Sequence, residues 1–467
     1  MASKRDLLQA HQFLAQRAIS ALVTREPDPE QPPFRRPGGA AIGSIVIGVL
    51  ALVAFWVYGL VNPGGNTSWR EKPSVIVAQE SGARYIYLNG VLHPVTNYAS
   101  ALLALGEHAA TVSVASDSLA GVPRGPWIGI PDAPDALPAP DKLLTGGWSL
   151  CSRPAPDPSG STVDESLLLA GTGDPGGTPL ADAAVLAEVP ASGETYLIAN
   201  GYRHRIEQPS IVSAGLALGA EPRTRAGMPL VDILPAGAPI GPLRPAGVGS
   251  PSTAVPGMAG LRVGQLLVVQ TSGGREHYLA EADRLRPISP LQYDIQRADP
   301  ETGRAYDGGQ PVDVPLGPAA AAGAPKAPPA PADPGAAPAV RPRFAGGGTL
   351  CATYQPAAAV PVLHVDSPVL GLATVATPRR GAHGMPMADR VHVEPGRAAL
   401  VEVMPSAGAH AGTLVLVTDQ GRAYPLASRE VLSILGYGEA VPVRLPAGLV
   451  DRVPLGSGLD PATVLAR

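Results

Sequence analysis

The chain is poor in most of what enzymatic readings need. Its 467 residues include two cysteines, Cys151 and Cys351, and so distant a pair excludes a four-thiolate zinc site. None of its four lysines, Lys4, Lys72, Lys142 and Lys326, follows a glycine. A phosphate-cradling G-x-x-x-x-G-K-[ST] loop is therefore missing. Neither H-E-x-x-H nor the G-x-S-x-G nucleophile elbow occurs, which removes those routes to hydrolysis. Aromatic residues are 4%, so cores must be built from Leu, Val, Ile and Ala. The net charge of −4 comes without a basic cluster, and nucleic acid is not an expected partner.

One long charge-free run is present, residues 40–61, AAIGSIVIGVLALVAFWVYGLV. As a helix it would reach about 33 Å, enough for a hydrocarbon core of roughly 30 Å. A cleaved signal peptide fits less well, because 39 residues precede the run and no small-residue cleavage pattern follows it. Arg35 and Arg36 lie just before the run and the uncharged Asn62, Pro63, Gly64 and Gly65 just after it. That asymmetry predicts a single-pass membrane protein, N-terminus cytoplasmic and C-terminal region extracytoplasmic. Ala40, Ser44 and Gly48 repeat at four-residue steps, a small-residue face on which another helix could pack. In the preceding arm, Ser3 can cap an amphipathic helix over 3–23 with Leu7, Leu14, Ala18 and Leu22 on one face. The prolines at 27, 29, 32 and 33 end it. Such a helix suits a membrane surface or a partner helix.

Beyond the run, 55 glycines and 54 prolines in the whole chain point to short strands and many turns. A hairpin followed by a helical stretch recurs four times: RYIYLNGVLHPV, TYLIANGYRHRI, LLVVQTSGGREHYL and TLVLVTDQGRAYPL. The common core is glycine, then His or Tyr three residues on, then an aliphatic. It falls at Gly90, His93 and Val95; Gly201, His204 and Ile206; Gly274, His277 and Leu279; and Gly421, Tyr424 and Leu426. The glycines supply the positive φ of a tight turn, and the ring and the aliphatic then share one strand face. No carboxylate recurs beside the rings, so packing is expected of them and not ligation. Three copies continue into LAGVPRGPWIGIP, DILPAGAPIGP and VRLPAGLVDRVP, a closing element that the third copy lacks.

The expected fold class is α+β and β-rich. A cytoplasmic arm at 1–39 and the apolar helix at 40–61 lead into a linker and first repeat at 62–131. The first half of a central β domain follows at 132–190, then the second repeat at 191–250 and the third at 251–315. An Ala/Pro-rich linker at 316–344, the second half of the central domain at 345–411 and the fourth repeat at 412–467 complete the chain. The linker is read as flexible or polyproline. In an oxidising compartment Cys151 and Cys351 are expected to pair, joining the two central halves; two buried free thiols are the alternative. Gly171, Gly173 and Gly176 match G-x-G-x-x-G before LADAAVLAEV, a possible helix, yet hairpin surroundings favour a plain loop. Asp299, Glu301 and Asp307 do not fit a calcium loop and read as a surface turn.

The opening SKRDLLQAHQFLAQRAISALV, the single apolar helix, W-R-x-x-P-x-V-I-V at 69–77, RYIYLNGVLHPVTNYASALL, PRGPWIGIPDAPD and the GGWSLC segment at 146–151 together resemble the EccB family of type VII (ESX) secretion systems. The resemblance runs through the whole chain. It implies a membrane subunit working beside an EccC motor ATPase, EccD, EccE and a mycosin protease. It also implies an elongated, dimer-forming outer module of four repeats about a disulfide-linked core. The family's repeats are similar to a phage-lysin cell-wall-binding subunit, so the alternative role is a cell-wall (peptidoglycan) binding or gating module. Some members are credited with ATPase activity, for which these residues offer no site. The expectation is a non-enzymatic structural subunit without a cofactor, and the Ala/Pro insertion at 316–343, a departure from the family, should lie harmlessly at a surface.

Overall fold

The computed structural model describes residues 3–25, 35–61, 67–328, 332–381 and 384–465. The prolines at 27–33 and the uncharged stretch at 62–65 lie outside them. Helix α1, Lys4–Thr24, starts in a capping box: Ser3 Oγ accepts the Asp6 amide while the Asp6 carboxylate accepts the Ser3 amide. Leu7, Leu14 and Leu22 are exposed, and Leu8 and Ile19, also exposed, widen the apolar face. Helix α2, Arg35–Val61, contains Gly38–Gly59, 22 residues of mean hydropathy 2.5, long and apolar enough to cross a bilayer. Within it the Ser44 hydroxyl donates to the Ala41 carbonyl at 2.9 Å, so this polar group needs no partner outside the helix.

Strands β1 (Val75–Ala78), β2 (Arg84–Leu88) and β3 (Val91–Pro94), helix α3 (Tyr98–Leu105) and strand β4 (Thr111–Val114) come next. The central strands β5 (Trp148–Pro156), β6 (Thr162–Leu169) and β7 (Thr178–Pro179) follow. Then come β8 (Ala184–Val189), β9 (Glu194–Ala199), β10 (Tyr202–Arg205), α4 (Pro209–Gly215), β11 (Arg223–Arg225) and α5 (Met228–Ile233). A third set holds β12 (Leu266–Thr271), β13 (Gly274–Ala280), β14 (Leu285–Ile288), α6 (Pro290–Ala298), β15 (Val314–Pro315) and α7 (Pro318–Gly323). After β16 (Phe344–Ala345) the chain returns to the centre with β17 (Leu350–Tyr354), β18 (Val362–Val365), β19 (Val375–Ala376) and β20 (Arg390–His392). It ends in β21 (Ala398–Met404), β22 (Thr413–Thr418), β23 (Ala423–Pro425), α8 (Glu430–Ile434), β24 (Val443–Pro446), α9 (Ala447–Val450) and α10 (Pro461–Val464).

The fold is α+β and β-rich. Four sheets share one order: β3-β2-β1-β4, β10-β9-β8-β11, β14-β13-β12-β15 and β23-β22-β21-β24. In each, two antiparallel steps are followed by a helix, whose length supplies the crossover that lets the fourth strand run parallel to the first. The chain forms two compact units, Met1–Pro94 with Ala110–Pro126, and Val95–Ala109 with Trp127–Arg467. In the first, Trp69, Ile76, Ala78, Tyr85, Leu92, Val114 and Leu119 make the core, and the Trp69 indole donates to Ser118 Oγ.

The second unit is organised by a seven-stranded sheet, β19-β20-β6-β5-β17-β18-β7. Its middle is the antiparallel pair β5 and β17, in register at Cys151 opposite Cys351, which form a disulfide across 200 residues of sequence. One face of this sheet, with Trp148, Leu150, Leu168, Leu350, Ala352 and Tyr354, is buried against Val185, Ala187, Ile198, Leu230, Val401, Val415 and Leu449 of the sets on either side. Tyr354 Oη donates to the Ile233 carbonyl at 2.6 Å, satisfying the one polar atom of a wholly buried ring.

Several expectations need correction. The divisions at 190 and 411 place β8 and β21 in the central domain, whereas each is the first strand of the next sheet. LADAAVLAEV contains strand β8 and no helix, so the glycine triplet at 171–176 is a loop after β6, without the helix N-terminus that dinucleotide binding requires. Asp299 is not on the surface: it is 1% exposed, ion-paired to Arg244 and bonded by Thr302.

The largest correction concerns 316–344. Its composition hides an ordered segment. Leu316, Ala321 and Ala324 are buried with Leu267, Tyr278 and Leu285, and the Ala327 amide donates to the Leu285 carbonyl. Beyond the undescribed 329–331 the chain lies along the second set. There the Ala238 amide donates to Gly335, Arg341 Nε donates to Leu216 and pairs with Glu221, and β16 adds a strand parallel to β8. A Cβ at Gly335 would stand 3.2 Å from the Tyr202 ring and 3.3 Å from Gly237. Gly335→Val is therefore expected to lower unfolding stability by about 1–3 kcal/mol, measured by chemical denaturation followed by circular dichroism. A free linker would leave the midpoint unchanged.

Candidate functional site

The glycine and ring positions are where the repeating pattern carries side-chain chemistry. Asn89 and Gly90, at φ of 50° and 83°, make the β2–β3 turn, and Asn200 and Gly201, at 52° and 78°, make the β9–β10 turn. Consecutive positive φ values are what a two-residue hairpin demands. The rings of His93, His204 and Tyr424 then stand on the third strand of their sheets. Each lies over a glycine of the segment that returns beside that strand. A Cβ at Gly125, Gly237 or Gly456 would sit 2.3 to 2.4 Å from the His93, His204 or Tyr424 ring respectively. Parallel bridges fix the alignment: Leu92 with Arg124, Arg203 with Ala236 and Ala423 with Leu455. His93 Nδ1 reaches the Pro126 carbonyl at 3.3 Å and His204 Nδ1 the Ala238 carbonyl at 2.8 Å. A carbonyl only accepts, so these nitrogens carry the proton.

In the third set the pattern sits elsewhere than expected. Gly274 and His277 belong to β13, the second strand: Gly274 pairs with Thr271, so the turn is Ser272–Gly273 and not Gly273–Gly274, and it joins first to second strand and not second to third. Leu285 bridges Lys326, so the equivalents of glycine, ring and aliphatic are Asp283, Arg286 and Ile288. The closing element is present after all, as Pro325-Lys326-Ala327 within the supposed linker. Where Arg286 stands in place of the ring, Ala327 stands in place of the glycine, and the Arg286 guanidinium pairs with Glu281. In the fourth copy the element is Pro454-Leu455-Gly456; the proposed Pro446-Ala447-Gly448 leads from β24 into α9. The glycines at 125, 237 and 456 were the missed partners of the rings, and the recurring Pro-x-Gly was their signal. His277 instead stacks on Tyr293, centroids 4.3 Å apart.

Ala40, Ser44 and Gly48 are exposed on α2, and nothing lies within 4 Å of a Cβ at Gly48. Cys151 and Cys351 are fully buried. Among the described residues no group of three or more His, Cys, Asp or Glu is placed to hold a metal ion. Burial lowers the affinity of His204 for a proton, outweighing its bond to Ala238 and the nearby Asp333 carboxylate, and burial likewise lowers that of His277. Tyr424 is pushed up by burial.

The chain is thus a β-rich protein of four like sheets and a disulfide-closed central sheet, with an apolar helix of membrane-spanning length before them. The model for the type VII secretion system ESX-1 transport TM domain B matches residues 1–467. The chain belongs to this family, EccB. It is 32% identical over 309 residues to the ESX-2 secretion system ATPase EccB2 of Mycobacterium tuberculosis H37Rv, covering 65% of this chain and 60% of that one. To the ESX-5 secretion system ATPase EccB5 of the same strain it is 31% identical over 304 residues, 62% of this chain and 58% of that one. The matches thus span less than two thirds of these relatives. A chain of an intact ESX-5 inner membrane complex aligns over 100% of this chain and 96% of its own at a TM-score of 0.66 and 25% identity. The EccB3 dimer from the ESX-3 core complex shares the fold, at a TM-score of 0.64 and 23% identity over 84% of this chain.

His204 yields a prediction with a defined sign. A base whose folded-state proton affinity is depressed contributes stability that is full above the unfolded value of about 6.5 and is lost as pH falls below it. Chemical denaturation should show that loss in wild type and less of it in His204→Gln. Gly237→Ala should destabilise by about 1–3 kcal/mol, and adding His204→Arg, which copies the Arg286–Ala327 pair, should restore part of that.

Proposed function

We propose that this chain is a single-pass structural subunit of a type VII secretion complex in the inner membrane. It anchors and organises the outer part of the complex by self-association, with a cytoplasmic N-terminus and the sheets on the extracytoplasmic side. The observation that carries this reading is full-length: family match and structural alignment both extend from the apolar helix through the last sheet. The buried disulfide supports an oxidising location for the residues beyond α2. The four-sheet architecture is read as four repeats about a stapled core. The partners proposed are the EccC motor ATPase, EccD, EccE, a mycosin protease and a second copy of this chain.

We read this role as non-enzymatic. The relatives carry the word ATPase in their names, yet this sequence has no Walker lysine, and the rings of His93, His204 and Tyr424 are engaged with backbone carbonyls or glycine faces. Energy would then come from the motor subunit. Full-length protein purified in detergent should neither bind ATP tightly nor turn it over once contaminating ATPases are removed, and stoichiometric ATP binding would reverse this part of the reading.

Native mass spectrometry of detergent-extracted membranes tests the assembly role: more than one copy of the chain should appear together with the motor subunit. A lone monomer would count against it. If α2 also packs on a neighbour through its small-residue face, Ser44→Leu with Gly48→Leu should reduce recovered complex several-fold while the chain itself remains in the membrane.

A further inference from the structure

On the disulfide face of the central sheet, one row of residues crosses four strands: Leu167 on β6, Cys151 on β5, Cys351 on β17 and His364 on β18. His364 is 9% exposed, and its Nδ1 is buried without a hydrogen-bond partner. A buried polar atom left unpaired costs free energy in the finished fold, so its placement beside a cysteine asks for a reason. The Asp366 amide donates to the Thr349 carbonyl. By the two-residue alternation of an antiparallel ladder, Cys351 and His364 therefore also exchange backbone bonds. Cys351 and Cys151 are then a pair without backbone bonds, where side chains stand closest, and their Cα atoms are 3.9 Å apart.

We propose that His364 is the base that prepares Cys351 to close the bridge onto Cys151 while the protein folds. The two cysteines are not equivalent. Cys351 belongs to a hairpin with β18 that closes through a short loop, so it has an imidazole beside it as soon as that local pairing forms. Cys151 on its own hairpin faces Leu167, which cannot take a proton. It also lies 200 residues earlier and must wait for its partner. Cys151 therefore carries the mixed disulfide with an external disulfide oxidant, R–S–S–R, and Cys351 resolves it. The Cys351 thiol gives its proton to His364. The thiolate attacks Sγ of Cys151, the Cys151–SR bond breaks as the Cys151–Cys351 bond forms, and RS− leaves and recovers the proton from the imidazolium. The oxidant is the electron acceptor throughout.

The groups facing His364 leave this role to it. On β17 the titratable side chains are Cys351 and Tyr354, the latter on the opposite face; β7 offers none. Asp366, two residues on, accepts the Gly348 amide. Farther along the same face Arg153 and Glu165 are paired with each other. After closure the face is buried and the disulfide has no thiol proton left to give, which accounts for an unpartnered nitrogen in the folded chain.

The proposal rests on the reading that residues beyond α2 fold under oxidising conditions, but its test supplies the oxidant and is independent of topology. Full-length reduced protein, unfolded in guanidinium with detergent, is diluted into oxidised glutathione across a pH series, then acid-quenched, alkylated and weighed by mass spectrometry. At about pH 7 an unassisted thiol is only a few per cent thiolate, so wild type should close about 10-fold faster than His364→Gln, the rates converging above about pH 9. Glutathione should accumulate on Cys151. Equal rates and pH profiles, or glutathione accumulating on Cys351, would overturn the assignment. Should His364→Gln not refold, alkylation of the lone thiol in Cys151→Ser and in Cys351→Ser, followed during refolding before the face is buried, decides it. Cys351 should titrate about one unit below Cys151, and identical titrations would refute the proposal.

Discussion

The pairing of β5 with β17 is the contact from which the second unit is built. It sets Ser149 against Thr353, Cys151 against Cys351 and Trp148 against Tyr354, and it can exist only when segments 200 residues apart have met. Once formed, it places the apolar faces of both hairpins, β5–β6 and β17–β18, in one plane. The strands of the neighbouring sets then have something to bury against. The loop that this contact closes is long, so its entropic cost is paid once for many later contacts. The disulfide then removes that cost from the unfolded side, by up to about 5 kcal/mol in the chain-entropy account.

Around this centre the two halves of the chain exchange segments. The stretch that follows the third set, 332–345, lies along the second set and adds β16 to its sheet. The stretch that precedes β5 does the same for the fourth set: Leu143 bridges Ala398 in parallel, the Leu144 amide donates to the Ala398 carbonyl, and Tyr437 donates to Pro138. Helices are shared likewise. α4 packs on α6, with Gly215 against the backbone of Asp294 and Ile295, and α3 lies against α8 and α10. Half-chains of this kind are not separate domains, because each finishes the other's sheets.

Much of this was legible before any coordinates. The apolar helix, the capped amphipathic arm, the Asn-Gly turns and the cysteine pair each have a local signal. What was not legible was register and membership. Gly273-Gly274 looks like the other turns, but a hairpin with three strands has two turns, and a glycine pair does not say which one it makes. The segment 316–344 was hidden by composition: alanines that pack against Tyr278 and Leu267 read the same as alanines in a polyproline linker. Asp299 looked like a surface acid because its cation, Arg244, is 55 residues away in sequence. The ring and glycine partners escaped for the same reason, although each Pro-x-Gly was in view. Long-range pairing decides these positions, and only repetition within the chain could have revealed it.

The repeats themselves supply that information once aligned by their bridges. Three copies place a ring over a glycine, and the remaining copy has Arg286, paired with Glu281, and Ala327 at the two equivalent positions, so two positions far apart in sequence change together within a single chain. Such coupling is what a close contact requires: a methyl group and a ring cannot occupy the same 2.4 Å, and a flexible guanidinium can turn away where an imidazole cannot. The contact also ties the third strand of each sheet to a segment that arrives only after the crossover helix and the fourth strand. A sheet of this kind is therefore complete only when its closing segment is in place. In the second and fourth sets, completion waits further, for a strap from the other half. Short sheets with little aromatic mass could not stand alone; in the second unit they are closed by rings on glycine, by exchanged straps and by one central bridge.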